Sequence, residues 1–375
     1  MEIPRLSALT PFQRLVALYV LWIAAWTPTS SMIYVYFNEG GMSLSAIFAA
    51  MAFIYIAPLL IIPLFRGFAV RDAVVAGVAV SALSVLALML LPLPLGAFAR
   101  LFLSGVTIFL FWVPFNTMYY EFRDGNNAQL GALYYSVGPA ISLLVPALAG
   151  LFVQSFGFMA LYALSLAIFI IAAPIAFRLV ENRRYEYSLA DSMKAISGLK
   201  SILFMEGFAA SMIVSVTLGV MLLRYASTPL QFGIFTSLAT VFSVVAAFVA
   251  ARFSDRIKRR RELLLPLVAC FALSAIFASW AQGAAMFILG YGLVNFFSCI
   301  FFPLPLALVV DNSRDLVSSM VGREMMLNIG KMCGVLVGYF IAINFSLEAA
   351  LFAEGLALLL YIPIFENRKK KLARH

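Results

Sequence analysis

The feature that most constrains this chain is a series of long apolar stretches separated by loops too short to hold a domain. A membrane-spanning helix needs about 20 mostly apolar residues. Such stretches occur near residues 14–36, 42–65, 70–92, 95–119, 128–153 and 157–178. After a polar stretch at 179–200 they resume near 201–223, 229–251, 263–281, 284–309, 318–344 and 347–365. The sequence therefore predicts twelve crossings. The first stretch is followed by eleven more, so it reads as a retained helix and not as a cleaved leader.

Basic residues test the layout. All of the 26 Lys and Arg residues except Arg100, Arg224 and Lys331 fall at the N-terminus, the even-to-odd loops or the C-terminus. An odd number of crossings would scramble that asymmetry. By the positive-inside rule both termini are cytoplasmic, in a multi-pass protein of the cell membrane.

The composition agrees: 64% of the residues are apolar and 11% charged, against roughly 25% charged in a soluble domain. Cys270, Cys299 and Cys333 lie in apolar stretches without Cys-x-x-Cys spacing, so they read as small buried hydrophobes. The lone histidine, His375, is the last residue, which leaves no histidine for a relay or a metal site. There is no Gly-x-x-x-x-Gly-Lys-Ser/Thr loop for ATP. We expect no enzyme activity, no cofactor, no metal and no nucleic-acid partner. The expected partners are the lipid bilayer, a small-molecule substrate and, if transport is coupled, protons, with the chain a monomer.

The two halves repeat each other. Pro114, Arg123, Asp124 and Gly131 each match an identical residue 191 positions later: Pro305, Arg314, Asp315 and Gly322. The sixth stretch closes with Glu181-Asn182-Arg183-Arg184 and the twelfth with Glu366-Asn367-Arg368-Lys369. Six-helix halves related by an axis along the membrane normal carry this kind of signature. The predicted organisation is an N-terminal bundle over 1–178, a linker over 179–200 and a C-terminal bundle over 201–375. The fold class is thus all-α integral membrane, with twelve helices in two pseudo-symmetric six-helix bundles.

The loop after the eighth stretch reads Arg252-Phe253-Ser254-Asp255-Arg256-Ile257-Lys258-Arg259-Arg260-Arg261. It resembles the loop motif Gly-x-x-x-Asp-Arg-x-Gly-Arg-Arg of the major facilitator superfamily, matching at Asp255, Arg256, Arg259 and Arg260, with Ala251 and Lys258 in place of the two glycines. The corresponding loop of the first half keeps only Arg66, Gly67 and Arg71. Arg100 with Gly105 is similar to the arginine motif of proton-coupled members, at a spacing one residue longer. The resemblance implies secondary transport around a central cavity. It also implies a gating latch in which Asp255, Arg256 and Arg259 meet the start of the fifth helix or Arg123. The competing reading of that loop is a topogenic charge cluster anchored to anionic lipid.

Charges within spans are costly and serve as functional hypotheses. Lys331 lies mid-span with Asn328 on the same helical face, and must face either a wet cavity or an acid such as Glu206 or Glu354. Glu206, Arg100 and Glu354 are the coupling candidates. Arg100 and Arg224 read as outer-end residues, drawing anions to the mouth or sitting among headgroups. Tyr34, Trp112, Asn116, Tyr291 and Asn295 join Lys331 and Asn328 as substrate-binding candidates, because the resemblance turns their helices towards the central cavity. Three readings stay open: a transporter of a small organic solute, anionic if Lys331 contacts it; a multidrug exporter of the same fold; and a lipid-handling or sensor protein.

Overall fold

The computed structural model describes residues 10–121, 127–179, 182–210, 216–254 and 260–363. Hydroxyl caps start several of the helices. Thr10 accepts from the Gln13 N–H while the Gln13 side chain reaches back, forming a capping box for α1 (Pro11–Glu39). Ser43 caps α2 (Leu44–Ile61) in the simpler way. A short strand, β1 (Gly67–Ala69), leads into α3 (Val70–Leu90).

The fourth crossing runs from α4 (Leu95–Thr107) through a π-helical turn at Ile108–Trp112 into α5 (Val113–Glu121). The fifth is α6 (Asn127–Ser142) plus the start of α7 (Val145–Phe177). Gly157 breaks α7 with φ +79°, a left-handed conformation that glycine adopts without steric cost. The remainder of α7 returns as the sixth crossing.

The linker carries β2 (Arg184–Glu186) and α8 (Leu189–Ala195). The second half comprises α9 (Lys200–Ala209), α10 (Leu218–Leu222), α11 (Pro229–Ser254), α12 (Arg260–Ser279), α13 (Ala284–Phe301), α14 (Pro303–Asn312), α15 (Leu316–Asn344) and α16 (Leu347–Leu359). Among the described residues, eight helical stretches are long and apolar enough to cross a membrane. The ninth, tenth and twelfth crossings are α12, α13 with α14, and α16, and the seventh is α9 with α10. The chain is an integral membrane protein with a twelve-helix architecture.

Lipid tails are as apolar as leucine, so these helices associate through close packing more than through hydrophobic burial. Glycines set the closest contacts. The face of Gly207 on α9 lies against the Leu327 carbonyl of α15, and Gly330 of α15 lies against the Phe204 carbonyl of α9. Large apolar side chains such as Leu64, Leu90, Ile170 and Phe340 face outward, towards lipid. Trp280, also exposed, directly follows α12, where an aromatic ring suits the membrane interface.

The halves meet along several helices, α2 against α15 among them, and are tied at both faces. At the face remote from the linker, the far face, Gly150 of α7 meets the Pro229 carbonyl and Gly233 of α11 meets the Pro146 carbonyl. The Ala147 N–H donates to Ser237 Oγ beside them, at 3.2 Å. At the linker face, β1 and β2 form a two-stranded antiparallel sheet with Phe68 opposite Tyr185. Tyr187 donates to the Ile62 carbonyl at 2.8 Å, and Tyr185 donates to the Glu121 carboxylate. Burial, then the Glu121 carboxylate, push the Tyr185 hydroxyl up to about 12. Only two residues later α8 begins, and Gly322 of α15 packs against its Ser192 carbonyl. The linker is therefore a strap, zipped to the first half by the sheet and to the second by α8.

Candidate functional site

A cavity of about 450 Å³ lies between the halves. Its first-half wall comes from α1 (Thr27, Ser30, Ser31, Tyr34) and from α6 and α7 around Gly138, Ser142 and Pro146. Its second-half wall comes from Gly219 of α10, from Thr236, Thr240 and Ser243 of α11, and from Tyr291 and Asn295 of α13. Two glycines shape it. A Cβ on Gly138 would meet nothing within 4 Å, so this position opens onto free space, whereas the Tyr34 ring rests on Gly219.

The polar groups of the wall are largely anchored to the helices that carry them. Thr27 donates to the Ile23 carbonyl at 2.7 Å, Ser30 to Thr27 at 3.2 Å and Ser31 to Pro28 at 3.0 Å. On α11, Thr236 and Thr240 donate to the carbonyls of Phe232 and Thr236, both at 2.9 Å. Asn295 donates to the Ala239 carbonyl at 3.2 Å, which fixes its amide across the α11–α13 contact. Tyr34, Tyr291 and Asn295 thus lie where the sequence reading places them. The α11 stripe of Thr236, Thr240 and Ser243 escaped that reading. Its signal is present as hydroxyls at i, i+4 and i+7 on one face of an otherwise apolar helix.

Trp112 and Asn116 are elsewhere. Trp112 packs edge-on against Trp22 and Tyr19, and Asn116 accepts a hydrogen bond from Tyr134 at 2.9 Å. Both belong to the aromatic interior of the first half and not to the cavity lining.

Lys331 and Asn328 also lie outside the lining. They belong to a charged cluster where α9 crosses α15. Arg323 donates to Glu206 at 2.9 Å and to Glu324 at 2.7 Å, with all three side chains at or below 10% exposure. Asn328, fully buried, donates to the Glu324 carbonyl at 2.7 Å. The charged neighbours of Lys331 are Glu324, Arg323 and Glu206, and its ammonium lies 5.6 Å from the Tyr55 ring centre. Of the alternatives for this lysine, the acid-facing one describes its surroundings, with Glu206 and Glu324 as the acids. Glu354 is instead turned to Thr217, which donates to it at 2.8 Å.

Arg100 corrects an expectation. It neither guards an outer mouth nor sits among headgroups: it is 1% exposed. Its guanidinium donates to Ser84, to Ser104 at 3.1 Å and to Thr29 at 3.1 Å, and stacks 4.2 Å from the Trp26 ring centre. The physical reason is local. The hydroxyls of α1, α3 and α4 converge there, and an aromatic face completes a desolvated cation site. Arg224, by contrast, is half-exposed and pairs with Glu348 at the far end of the bundle. Asp255, Arg256, Arg259 and Arg123 lie outside the described residues.

The family model of the Major Facilitator Superfamily matches residues 201–374, the half that carries Asp255-Arg256. Solved structures extend the likeness to the whole chain. A POT family transporter in complex with 5-aminolevulinic acid superposes with a TM-score of 0.72 at 12% identity, over 96% of each chain. The second half of the chain matches the Major Facilitator Superfamily in sequence, and the whole length shares the fold of these transporters. The human organic anion transporter reaches a TM-score of 0.72 at 13% identity, over 95% of this chain and 100% of the other. The superfamily transporter FucP in its outward conformation reaches 0.68 at 13% identity, over 97% and 99%. No curated protein matches this chain in sequence.

Proposed function

We propose that this protein is a secondary transporter that moves a small organic solute across the membrane by rocking its two halves about the central cavity. One observation carries the reading: the cavity is bounded by both halves, so their relative motion exposes it to alternate sides. Its volume falls within the range of small-molecule sites, about 300–1,000 Å³. The solute-transporting neighbours of the same fold, one with 5-aminolevulinic acid bound, support the class of function. In this reading both termini face the cytoplasm, as the basic loops require.

Proton coupling falls most naturally to Glu354. It is 2% exposed, it accepts from the Thr217 hydroxyl, and its second oxygen is buried without a hydrogen-bond partner among the described residues. A buried carboxylate without a cation is costly, and binding a proton relieves that cost. Glu206 is held by Arg323, and Arg100 supplies a fixed positive field in the first half.

The test needs no known substrate. Cys270, Cys299 and Cys333 are replaced by Ser, and Thr236→Cys is introduced in the cavity wall. A membrane-impermeant thiol reagent is applied to intact cells and to inverted vesicles. Alternating access predicts labelling from both faces. Cross-linking Ala147→Cys to Ser237→Cys, whose backbone N–H and side-chain oxygen meet at 3.2 Å across that face, should then abolish labelling from the far face alone. Labelling confined to one face before cross-linking would overturn the reading.

A further inference from the structure

The wall of the cavity is unusual in which hydrogen-bonding capacity it leaves open. Thr27, Ser30, Ser31, Thr236 and Thr240 each donate to a carbonyl of their own helix. Ser243 donates across to the Asn295 carbonyl at 3.4 Å. A hydroxyl has one proton and two lone pairs. Once its proton is committed to a backbone oxygen, what remains for a ligand is acceptor capacity. Asn295 likewise spends a donor on Ala239 and keeps its side-chain oxygen. Ser142 and the hydroxyls of Tyr34 and Tyr291 are the other O–H groups of the wall, so acceptors outnumber donors across it.

Charge narrows the ligand further. Among the described residues, none of the lining is ionisable to a carboxylate or an ammonium. An anion would need donors or a cation at the wall. A cation would find acceptors, but it would also meet the field of the buried guanidinium of Arg100. Arg100 is bonded to Thr29, next to Ser30 of the wall. Glu354, the carboxyl facing α10, is turned to Thr217 and is not part of the lining. Both signs are disfavoured, and a neutral molecule with many O–H donors is what the wall complements. Tyr34 and Tyr291 supply rings for the apolar C–H faces of such a molecule.

We propose that the solute is an uncharged polyol of sugar size, recognised by the acceptor oxygens of α1, α11 and Asn295. This rests on the cavity being the transport site. It departs from the carboxylate-bearing solute that Lys331 alone suggests, because Lys331 is among the acids of the α9–α15 crossing and outside the cavity wall.

The experiment is a thermal-stability screen of the purified full-length protein with matched probes: glucose, glucuronate and glucosamine; galactose, galacturonate and galactosamine; and the neutral hexitols sorbitol and mannitol. Each is titrated against wild type, Gly138→Trp and Asn295→Asp. Bound solute raises the melting temperature by mass action. We expect at least one neutral probe to bind wild type, and its charged counterparts to bind at least tenfold more weakly. Asn295→Asp should weaken the neutral sugar and bring its amino derivative forward. Gly138→Trp fills the open space and should remove the shift for every probe.

A charged probe binding as tightly as its neutral counterpart, or no neutral probe binding at all, overturns the solute class. If such a charged probe is lost in Gly138→Trp, the cavity reading stands while the class falls. Binding that ignores Gly138→Trp would place the ligand elsewhere and bring down the cavity reading itself.

Discussion

Exchanging Glu206 and Arg323 one at a time and together should show strong coupling at the α9–α15 crossing. Their side chains are 3% and 10% exposed and meet at 2.9 Å. At that separation, with an effective dielectric of 20, the direct attraction is about 6 kcal/mol, offset by several kcal/mol of desolvation for each ion. Breaking a buried pair from one side costs about 3–5 kcal/mol. Glu206→Gln belongs at the low end, because Glu324 still holds Arg323 at 2.7 Å. Arg323→Met belongs at the high end, because it leaves Glu206 and Glu324 buried together. The double variant removes the charge and one of the carboxylates it served, and should be no less stable than Arg323→Met alone. The assay is thermal melting in detergent at one fixed scan rate, since unfolding of such proteins is commonly irreversible. With about 2–4 °C per kcal/mol for a unit the size of one half, the single variants should fall by about 6–12 °C and about 10–20 °C. Losses that simply add in the double variant would refute the cluster as the source of stability.

Three further outcomes follow from the packing. Gly150→Val places side-chain atoms into the Pro229 carbonyl, so the far face should part; impermeant labelling of Thr236→Cys from that side should rise, and unchanged labelling would count against the seal. Arg100→Met should lower stability by no more than about 1–2 kcal/mol, since Ser84, Ser104 and Thr29 also bond backbone carbonyls and replacing a buried charge with an apolar chain is often neutral. Two-sided labelling should nonetheless be lost, and retention of both would leave Arg100 without a role in transport. Gly67→Val drives a branched side chain into the Tyr185 carbonyl, unzipping the strap; trypsin should then cut between Arg183 and Lys194 faster than in wild type, and an equal rate would argue against the sheet.

Much of the fold is legible in the sequence because a bilayer imposes one simple rule, long apolar segments with basic ends on one side. The cavity is legible only in part. Tyr34, Tyr291 and Asn295 stand out as polar or aromatic groups on apolar helices. Thr236 and Thr240 do not, since hydroxyls bonded to their own backbone are ordinary in membrane helices and only the partner helices show which face is wet. Arg100 was misread because position along a helix gives depth but not direction, and its side chain turns inward to hydroxyls from α1 and α3. The strap was invisible for another reason: strands of three residues are too short to show a period.

That strap restricts how the protein can open. Between Glu186, the last residue of the sheet, and Leu189, the first of α8, run three Cα-to-Cα steps, which span at most about 11 Å when fully extended. While both anchors hold, the α3 side of the first half and the α15 side of the second are leashed at the linker face. A gate on that face must swing like a door, hinged along the strapped edge and widest on the opposite edge, where α6 meets α11.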